Sequence, residues 1–175
     1  MKTRYLALAA FILLAAATRM VPHPSNFAPI TAIALFGGVQ FRGKAEAFLV
    51  PLAAMFLSDL VLGFHSQMAG VYLSFALIVL IGRWVRGRKT ASGIAGGALA
   101  GSVLFFLLTN FGVWVSDGMY PKTAQGLLQC YVAAIPFFEN SLLGDAFFSL
   151  TLFGGFALAE RYLPRMREEA LSAAS

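Results

Sequence analysis

Long apolar runs separated by short polar segments make up most of the chain. A transmembrane helix needs roughly 20 mostly apolar residues, and six runs approach or reach that length. The second run is the shortest. The pattern predicts an all-α polytopic membrane protein with six transmembrane helices in a single domain, residues 1–175. The six runs are Tyr5–Val21, Ala28–Phe41, Ala45–Phe64, Ala69–Val85, Ala91–Val115 and Leu142–Leu163.

A further apolar segment, Thr123–Phe138, precedes the last run and is too short for a span. We expect it to form a short helix that lies on the membrane surface or re-enters the membrane. The first run has a second interpretation, because Lys2, Arg4 and the alanines at 15–17 imitate a secretory signal peptide and its cleavage site. We expect Tyr5–Val21 to remain as the first span, since its loss would leave an odd number of spans.

Composition supports a membrane protein. Hydrophobic residues make up 59% of the chain and charged residues 12%, with a mean hydropathy of +0.76. A soluble domain carries roughly 25% charged residues, so a soluble globular enzyme, a disordered chain and a disulfide-stapled secreted domain are excluded. The single cysteine, Cys130, provides neither an internal disulfide nor a paired-cysteine metal motif.

The basic residues predict the orientation through the positive-inside rule. All of the 13 lysines and arginines except Arg19 and Lys122 fall on the side that holds both termini. We therefore expect both termini to lie in the cytoplasm. Counting Thr123–Phe138 as a full span would weaken this asymmetry. The net charge of +5 then reflects topology in a lipid bilayer, and no nucleic-acid partner is expected.

Most of the unusual polar residues fall on the predicted periplasmic side. Ionisable groups inside a membrane cost roughly 2.5–3.5 kcal/mol and tend to be functional, which selects Asp59 and Asp145. The proline-rich segment 21–29 is stiff because proline fixes φ, and its polar side chains make it a candidate lid. The candidate ligand-binding residues are His23, Asn26, Asp59, Asn110, Trp114, Tyr131, Glu139, Asn140 and Asp145.

Several of these candidates have a purely structural alternative. Asp59 alternatively forms an interior pair that locks helices together, and Asn110 a hydrogen bond between helices. Glu139 and Asn140 stand at the predicted start of the last span, where they alternatively cap free backbone N–H groups. Segment 21–29 is alternatively a tight turn without a ligand.

The fifth span carries Gly93, Gly97 and Gly101 at intervals of four residues. Small residues at this spacing let helices approach closely in lipid. The pattern therefore predicts a packed helix, whose partner is another helix of the chain or a second subunit.

Catalytic and metal-binding signatures are absent from the sequence. It contains no Gly-x-Ser-x-Gly, no His-Glu-x-x-His and no phosphate loop. His23 and His65 have no second ligand at metal spacing on the same helix. We therefore expect no enzyme activity, no cofactor and no metal site.

The chain resembles a group of uncharacterised bacterial inner-membrane proteins over nearly its whole length. That group is similar to the substrate-binding S components of energy-coupling-factor (ECF) vitamin transporters, in its six spans, size, orientation and periplasmic polar cluster. The stretches that carry the resemblance are PHPSNFAPITAIALFGGVQF, FLVPLAAMFLSDLVLGFH, TNFGVWV and YPKTAQGLLQCYVAAIPFFENSLLGD.

The resemblance implies a pocket that opens to the periplasm and binds a vitamin or a cofactor precursor. The lid corresponds to Pro22–Phe27, and the pocket to the outer ends of the third, fifth and last spans. A cobalamin-binding branch of those proteins uses a cysteine near the outer start of its fourth span. Residues 67–69 here are Gln-Met-Ala, so thiolate ligation of cobalt is not expected.

Two hypotheses for the function follow. The first is a membrane-embedded substrate-binding or uptake protein for a small vitamin-like molecule captured from the periplasmic side. In it, the acids orient polar or cationic groups, the aromatic residues give flat apolar contact, and segment 21–29 closes over the ligand. Its partners are the small-molecule substrate and an energising transporter module or other membrane subunits. The second is an accessory structural subunit of a larger membrane complex.

Overall fold

A computed structural model describes residues 2–163, and every regular element in that range is a helix. Five helices are long and apolar enough to cross a membrane, the first of them counted through Met20, and the apolar helix Ile30–Gln40 is shorter. The expectation of an all-α polytopic membrane protein is confirmed by these helices. Arg165 and Arg167, two of the basic residues used for the orientation, lie outside the described residues. The helices are α1 Lys2–Ala17, α2 Ile30–Gln40, α3 Lys44–Leu62, α4 Met68–Val85, α5 Ala91–Ser116 and α6 Ala124–Tyr162.

The short helix α2 forms the centre of the fold. Its buried residues run without interruption from Thr31 to Val39, and it packs against all five other helices. A helix that is apolar on every side belongs in the interior. At 1.5 Å per residue its 11 residues span about 16 Å, roughly half of a 30 Å hydrocarbon core. The part of the hydrocarbon core that α2 does not cross leaves room for segment 21–29 and for a cavity.

Two glycines let α2 and α4 approach closely. A Cβ atom on Gly38 would lie 2.3 Å from the carbonyl oxygen of Val79, and one on Gly82 would lie 2.6 Å from that of Leu35. Both obstacles are backbone atoms, which cannot turn aside as a side chain can. These two positions therefore set the distance between the central helix and α4.

The small-residue face of α5 packs inside the chain. A Cβ atom on Gly97 would lie 3.0 Å from the side chain of Val85, and one on Gly101 would lie 2.7 Å from the side chain of Thr31. Gly93 is at the start of the helix, where its N–H donates to the hydroxyl of the N-cap residue at 3.0 Å. Gly97 and Gly101 thus have their packing partners in α4 and α2.

The expectation of a separate surface or re-entrant helix over Thr123–Phe138 is wrong. These residues belong to the first part of α6, which runs 39 residues to Tyr162 and includes a π-helical turn. At 1.5 Å per residue, it is about 58 Å long, more than a perpendicular crossing requires. Pro136 lies within the helix. The first part packs along α5, where the Tyr131 hydroxyl donates to the carbonyl oxygen of Leu107 at 2.8 Å.

Basic side chains surround the point where α2 ends. Arg4 forms an ion pair with Glu160 at 2.8 Å and donates to the Gln40 carbonyl oxygen at 3.3 Å. Arg86 donates to the carbonyl oxygen of Phe41. The C-terminus of a helix favours positive charge, so this arrangement stabilises the end of α2. We call this the basic end, and the opposite end, formed by residues 21–29, 63–67 and 117–123, the polar-loop end.

Candidate functional site

A polar cavity lies at the polar-loop end, against the first turn of α2. Its volume is about 410 Å³, within the range of about 300–1,000 Å³ typical of small-molecule sites. Four of the nine predicted ligand-binding residues line it: His23, Asn26, Asn110 and Asp145. The polar side chains on its wall are Arg19, His23, Asn26, Thr31, Thr109, Asn110, Ser141 and Asp145.

Segment 21–29 contributes a tight turn to the cavity wall. The Phe27 N–H donates to the Pro24 carbonyl oxygen at 3.0 Å, and Asn26 has a φ of 64°. A positive φ at the third residue of a four-residue turn is characteristic of a type II turn, and glycine and asparagine tolerate it best. His23 Nδ1 lies 2.9 Å from the Pro24 oxygen. The turn thus brings both predicted lid residues to the cavity.

Helix α6 holds this segment in place. Asn140 donates its amide N–H to the Ser25 carbonyl oxygen at 3.1 Å. A Cβ atom on Gly144 would lie 3.2 Å from the Cα of Phe27, which is closer than an ordinary Cβ contact, so the glycine favours this approach. The Phe27 ring packs against Phe148, with centroids 5.7 Å apart. Asn140 therefore supports the segment, and it stands within α6 rather than at a helix start.

Asp59 forms a buried ion pair and does not line the cavity. Arg19 Nη1 lies 2.8 Å from Asp59 Oδ1, and the two side chains are only 10% and 2% exposed. The Tyr72 hydroxyl donates to Asp59 Oδ2 at 2.7 Å, and Arg19 also donates to the Ser58 hydroxyl. Since Arg19 lines the cavity, Asp59 and its partners fix a cation in the cavity wall.

Asp145 is buried in the cavity wall with hydroxyl partners. The Ser102 hydroxyl donates to Asp145 Oδ2 at 2.6 Å, and the side chain of Thr31 lines the same cavity beside this carboxyl group. Thr31 stands in the first turn of α2, where the helix dipole favours a negative charge. Among the side chains that the structure describes, no lysine, arginine or histidine forms an ion pair with Asp145.

Three further candidates lie outside the cavity lining. Trp114 donates its indole N–H to the Pro121 carbonyl oxygen at 2.9 Å, and the Tyr131 hydroxyl bonds α5 as described above. Glu139 is exposed on α6. Trp114 thus connects α5 to the loop that follows it, and Tyr131 connects α6 to α5.

Sequence reasoning missed Arg19, Thr31 and Ser102 as parts of this site. Arg19 carried a usable signal, because it is one of only two basic residues on the side that the positive-inside rule leaves poor in positive charge. Thr31 and Ser102 showed no such signal in the sequence, because hydroxyl residues in apolar helices also make ordinary contacts between helices.

The cavity combines groups of both charges with amides. Arg19 offers a positive group, Asp145 a negative one, and Asn26 and Asn110 offer amide donors and acceptors. Such a wall suits a small polar molecule. In the described part of the chain, no three His, Cys, Asp or Glu side chains come together as a metal site.

A family model matches residues 1–166, and its description is a family of unknown function (DUF6580). No curated protein matches the chain. No solved structure matches it either.

Proposed function

The chain belongs to the DUF6580 family of unknown function, and we propose that it is a membrane-embedded binding protein for the uptake of a small vitamin-like molecule or cofactor precursor. The observation that carries this proposal is the polar cavity of about 410 Å³ at the polar-loop end. Its wall presents Arg19 and Asp145 as charged groups, and Asn110 as an amide. Segment 21–29 forms the cover.

The polar-loop end faces the periplasm in this proposal, and both termini lie in the cytoplasm of a bacterial inner membrane. Support comes from the unequal distribution of basic residues under the positive-inside rule. Arg19 and Lys122 are at the polar-loop end. The described basic end contains Arg4, Arg42, Lys44, Arg83, Arg86 and Lys89.

An energising transporter module is the proposed partner. The sequence has no phosphate loop with which the chain itself would bind ATP. The alternative function, an accessory structural subunit, was suggested by the small residues of α5. Gly97 and Gly101 pack against α4 and α2 of the same chain, so those two residues do not require a second protein. This favours the binding protein.

Native mass spectrometry of the full chain, purified gently from its own membranes, tests the proposal. We expect one small molecule to remain bound. Asn110→Ala and Asn26→Gly should each lower its occupancy about tenfold, because each removes a hydrogen-bonding amide. Glycine at position 26 retains the positive φ, so this variant separates the amide from the turn. Glu139→Gln, an exposed change outside the cavity, is the matched control and should leave occupancy unchanged.

Two results would contradict the proposal. One is a chain that carries no small molecule and always arrives with stoichiometric protein neighbours, which supports the accessory subunit. The other is a bound molecule whose occupancy is the same in Asn110→Ala, Asn26→Gly and Glu139→Gln, because the cavity would then not be its site.

A further inference from the structure

A second cavity forms a groove between α5 and α6. Its volume is about 450 Å³, and its wall is apolar apart from Ser102, Asp145 and Ser149. Leu99 and Leu150 line it and are 56% and 76% exposed. Because both lie on helices of membrane-spanning length, the groove opens sideways towards the hydrocarbon of the membrane.

Ser149 has unused hydrogen-bonding capacity in this groove. Its side chain is buried, at 7% exposure, and its hydroxyl oxygen has no hydrogen-bond partner in the described part of the chain. Ser149 follows Asp145 by four residues, so both side chains project from the same face of α6. The π-helical turn Leu150–Gly154 begins immediately after it, and such turns often occur at functional sites.

Asp145 also has acceptor positions left over. An ionised carboxylate offers about four, and the hydroxyls of Ser102 and Thr31 fill at most two of them. Ser102 has a single proton, and the Ala98 carbonyl oxygen at 2.9 Å is a second acceptor for it. No cationic side chain that the structure describes pairs with Asp145.

We propose that the groove is a second ligand site, which binds a lipophilic molecule with a protonated amine. The ammonium group donates to the Asp145 carboxylate and to the Ser149 hydroxyl. The positive charge offsets the buried carboxylate, and the hydrocarbon body lies along Leu99 and Leu150.

The depth of the site selects a free amine over the headgroup of a bilayer lipid. Ser102 lies near the middle of α5, about 16 Å or more from either end of that helix at 1.5 Å per residue. Headgroups lie at the two surfaces of a hydrocarbon core about 30 Å thick. A lipid headgroup therefore does not reach Asp145, whereas a free lipophilic amine enters from the side.

Photo-crosslinking of the full chain in phosphatidylcholine vesicles tests this site. The probe is dodecylamine with a diazirine at the end of its alkyl chain, and the matching dodecanol is the neutral comparison. We expect the amine to label peptides around Leu99 and Leu150. Ser149→Val should lower this labelling about fivefold to tenfold, because it removes a hydrogen-bond partner of the ammonium. Ala95→Phe, on the opposite wall, should lower it at least as much by filling the groove.

Thr151→Val is the matched control, because Thr151 is exposed on the same helix and its hydroxyl donates to the Phe147 carbonyl oxygen. It should leave labelling unchanged. Equal labelling by dodecanol and dodecylamine would overturn the proposal, as would labelling that Ala95→Phe does not reduce. Phosphatidylethanolamine in the vesicles should not compete with the probe, and full competition would assign the site to a lipid headgroup instead.

The second site shares Asp145 with the polar cavity but can be tested separately from the proposed uptake function. Ser149 and Ala95 line the groove and not the polar cavity, so their variants should retain the small molecule seen by native mass spectrometry. Loss of amine labelling in these variants with that molecule still bound separates the two sites. Asp145 lines both, and its variants are therefore unsuitable for the distinction.

Discussion

At the scale of single residues, the partners of a buried carboxylate decide what it can do. The Arg19 guanidinium neutralises the charge of Asp59 and contacts one of its oxygens, and the Tyr72 hydroxyl donates to the other. Asp145 meets hydroxyl groups and the start of a helix. Asp59 therefore holds Arg19 in place, whereas the Asp145 carboxyl group has hydrogen-bond acceptor positions left for a ligand.

We expect Asp59→Asn to lower the free energy of unfolding by about 3–5 kcal/mol, because it leaves the Arg19 charge buried without its partner. Tyr72→Phe should cost about 1.5–3 kcal/mol, the range for a hydrogen bond to a charged group. Both are measured as detergent-induced unfolding in micelles. The double variant Arg19→Met/Asp59→Leu should recover most of the loss, since it removes both charges. An Asp59→Asn protein as stable as the parent would refute the structural role of the pair.

Lys89 gives the stability a pH dependence at the basic end. The side chain is exposed, but neighbouring residues partly desolvate its ammonium group and lower its pKa below the usual value, and the charges of Arg4 and Arg86 lower this pKa further. Between the lowered and the usual pKa, the unfolded chain binds more protons than the folded one, so stability rises as pH rises through that interval.

We therefore expect Lys89→Gln to stabilise the protein at neutral pH and to reduce the gain in melting temperature at alkaline pH. Thermal unfolding in micelles across that pH range measures both effects. Lys44→Gln removes the same charge from another exposed position of the basic end, and should retain the alkaline gain. A Lys89→Gln protein whose melting temperature rises at alkaline pH as much as that of the parent protein would contradict this prediction.

At the scale of helices, continuity and close approach come from neighbours. The first part of α6 stays helical past Pro136 because α5 accompanies it, through Tyr131 on Leu107 and Phe138 on Phe106, whose ring centroids are 4.6 Å apart. By the length of its apolar segment alone, this first part of α6 was too short to be predicted as a transmembrane span. Joined to the last span, it forms one helix that also supports segment 21–29.

We expect Gly82→Ala to destabilise the protein by about 1–3 kcal/mol, the usual cost of overpacking. Its new methyl group would meet the Leu35 carbonyl oxygen and push α2 away from α4. Gly96→Ala is the matched control: its Cβ atom would meet nothing within 4 Å, and alanine has the higher helix propensity, worth about 0.8–1 kcal/mol. Unfolding in micelles should therefore move in opposite directions for the two variants. A loss of equal size in both would contradict the close approach.

At the scale of the whole molecule, the short central helix creates the polar cavity. Because α2 covers only about half of the hydrocarbon depth, the long helices around it enclose a space beyond its first turn. Segment 21–29 covers that space and is anchored on α6 through Asn140 and Gly144. The cavity is therefore a consequence of helix length as much as of polar residues.

The proposed orientation predicts the accessibility of the two ends. In a Cys130→Ser background, we expect His23→Cys to react with a membrane-impermeant maleimide added to spheroplasts. Lys44→Cys should react only after permeabilisation. Both positions are exposed, so a difference in reaction reports the side of the membrane and not burial. Labelling of Lys44→Cys alone in intact spheroplasts would reverse the orientation.

The sequence by itself determined the features that depend on the composition of a segment. The apolar length of the segments predicted the helices, including the short one that became α2. The polar residues of segment 21–29 and of the predicted outer helix ends supplied nine candidate site residues, of which His23, Asn26, Asn110 and Asp145 line one cavity. The prediction of the helices succeeds because the transfer of a side chain into lipid depends mainly on the side chain itself.

The tertiary structure alone decided which residues meet. It paired Arg19 with Asp59, 40 residues apart in the sequence, and brought Thr31 and Ser102 to Asp145. It also joined Thr123–Phe138 to the last span. Hydrogen bonds, ion pairs and helix continuity depend on distances between segments that are far apart in the chain, and no local pattern specifies these distances. For this reason the packing of the helices, and no local sequence pattern, decides the partners and thus the chemistry of Asp59 and Asp145.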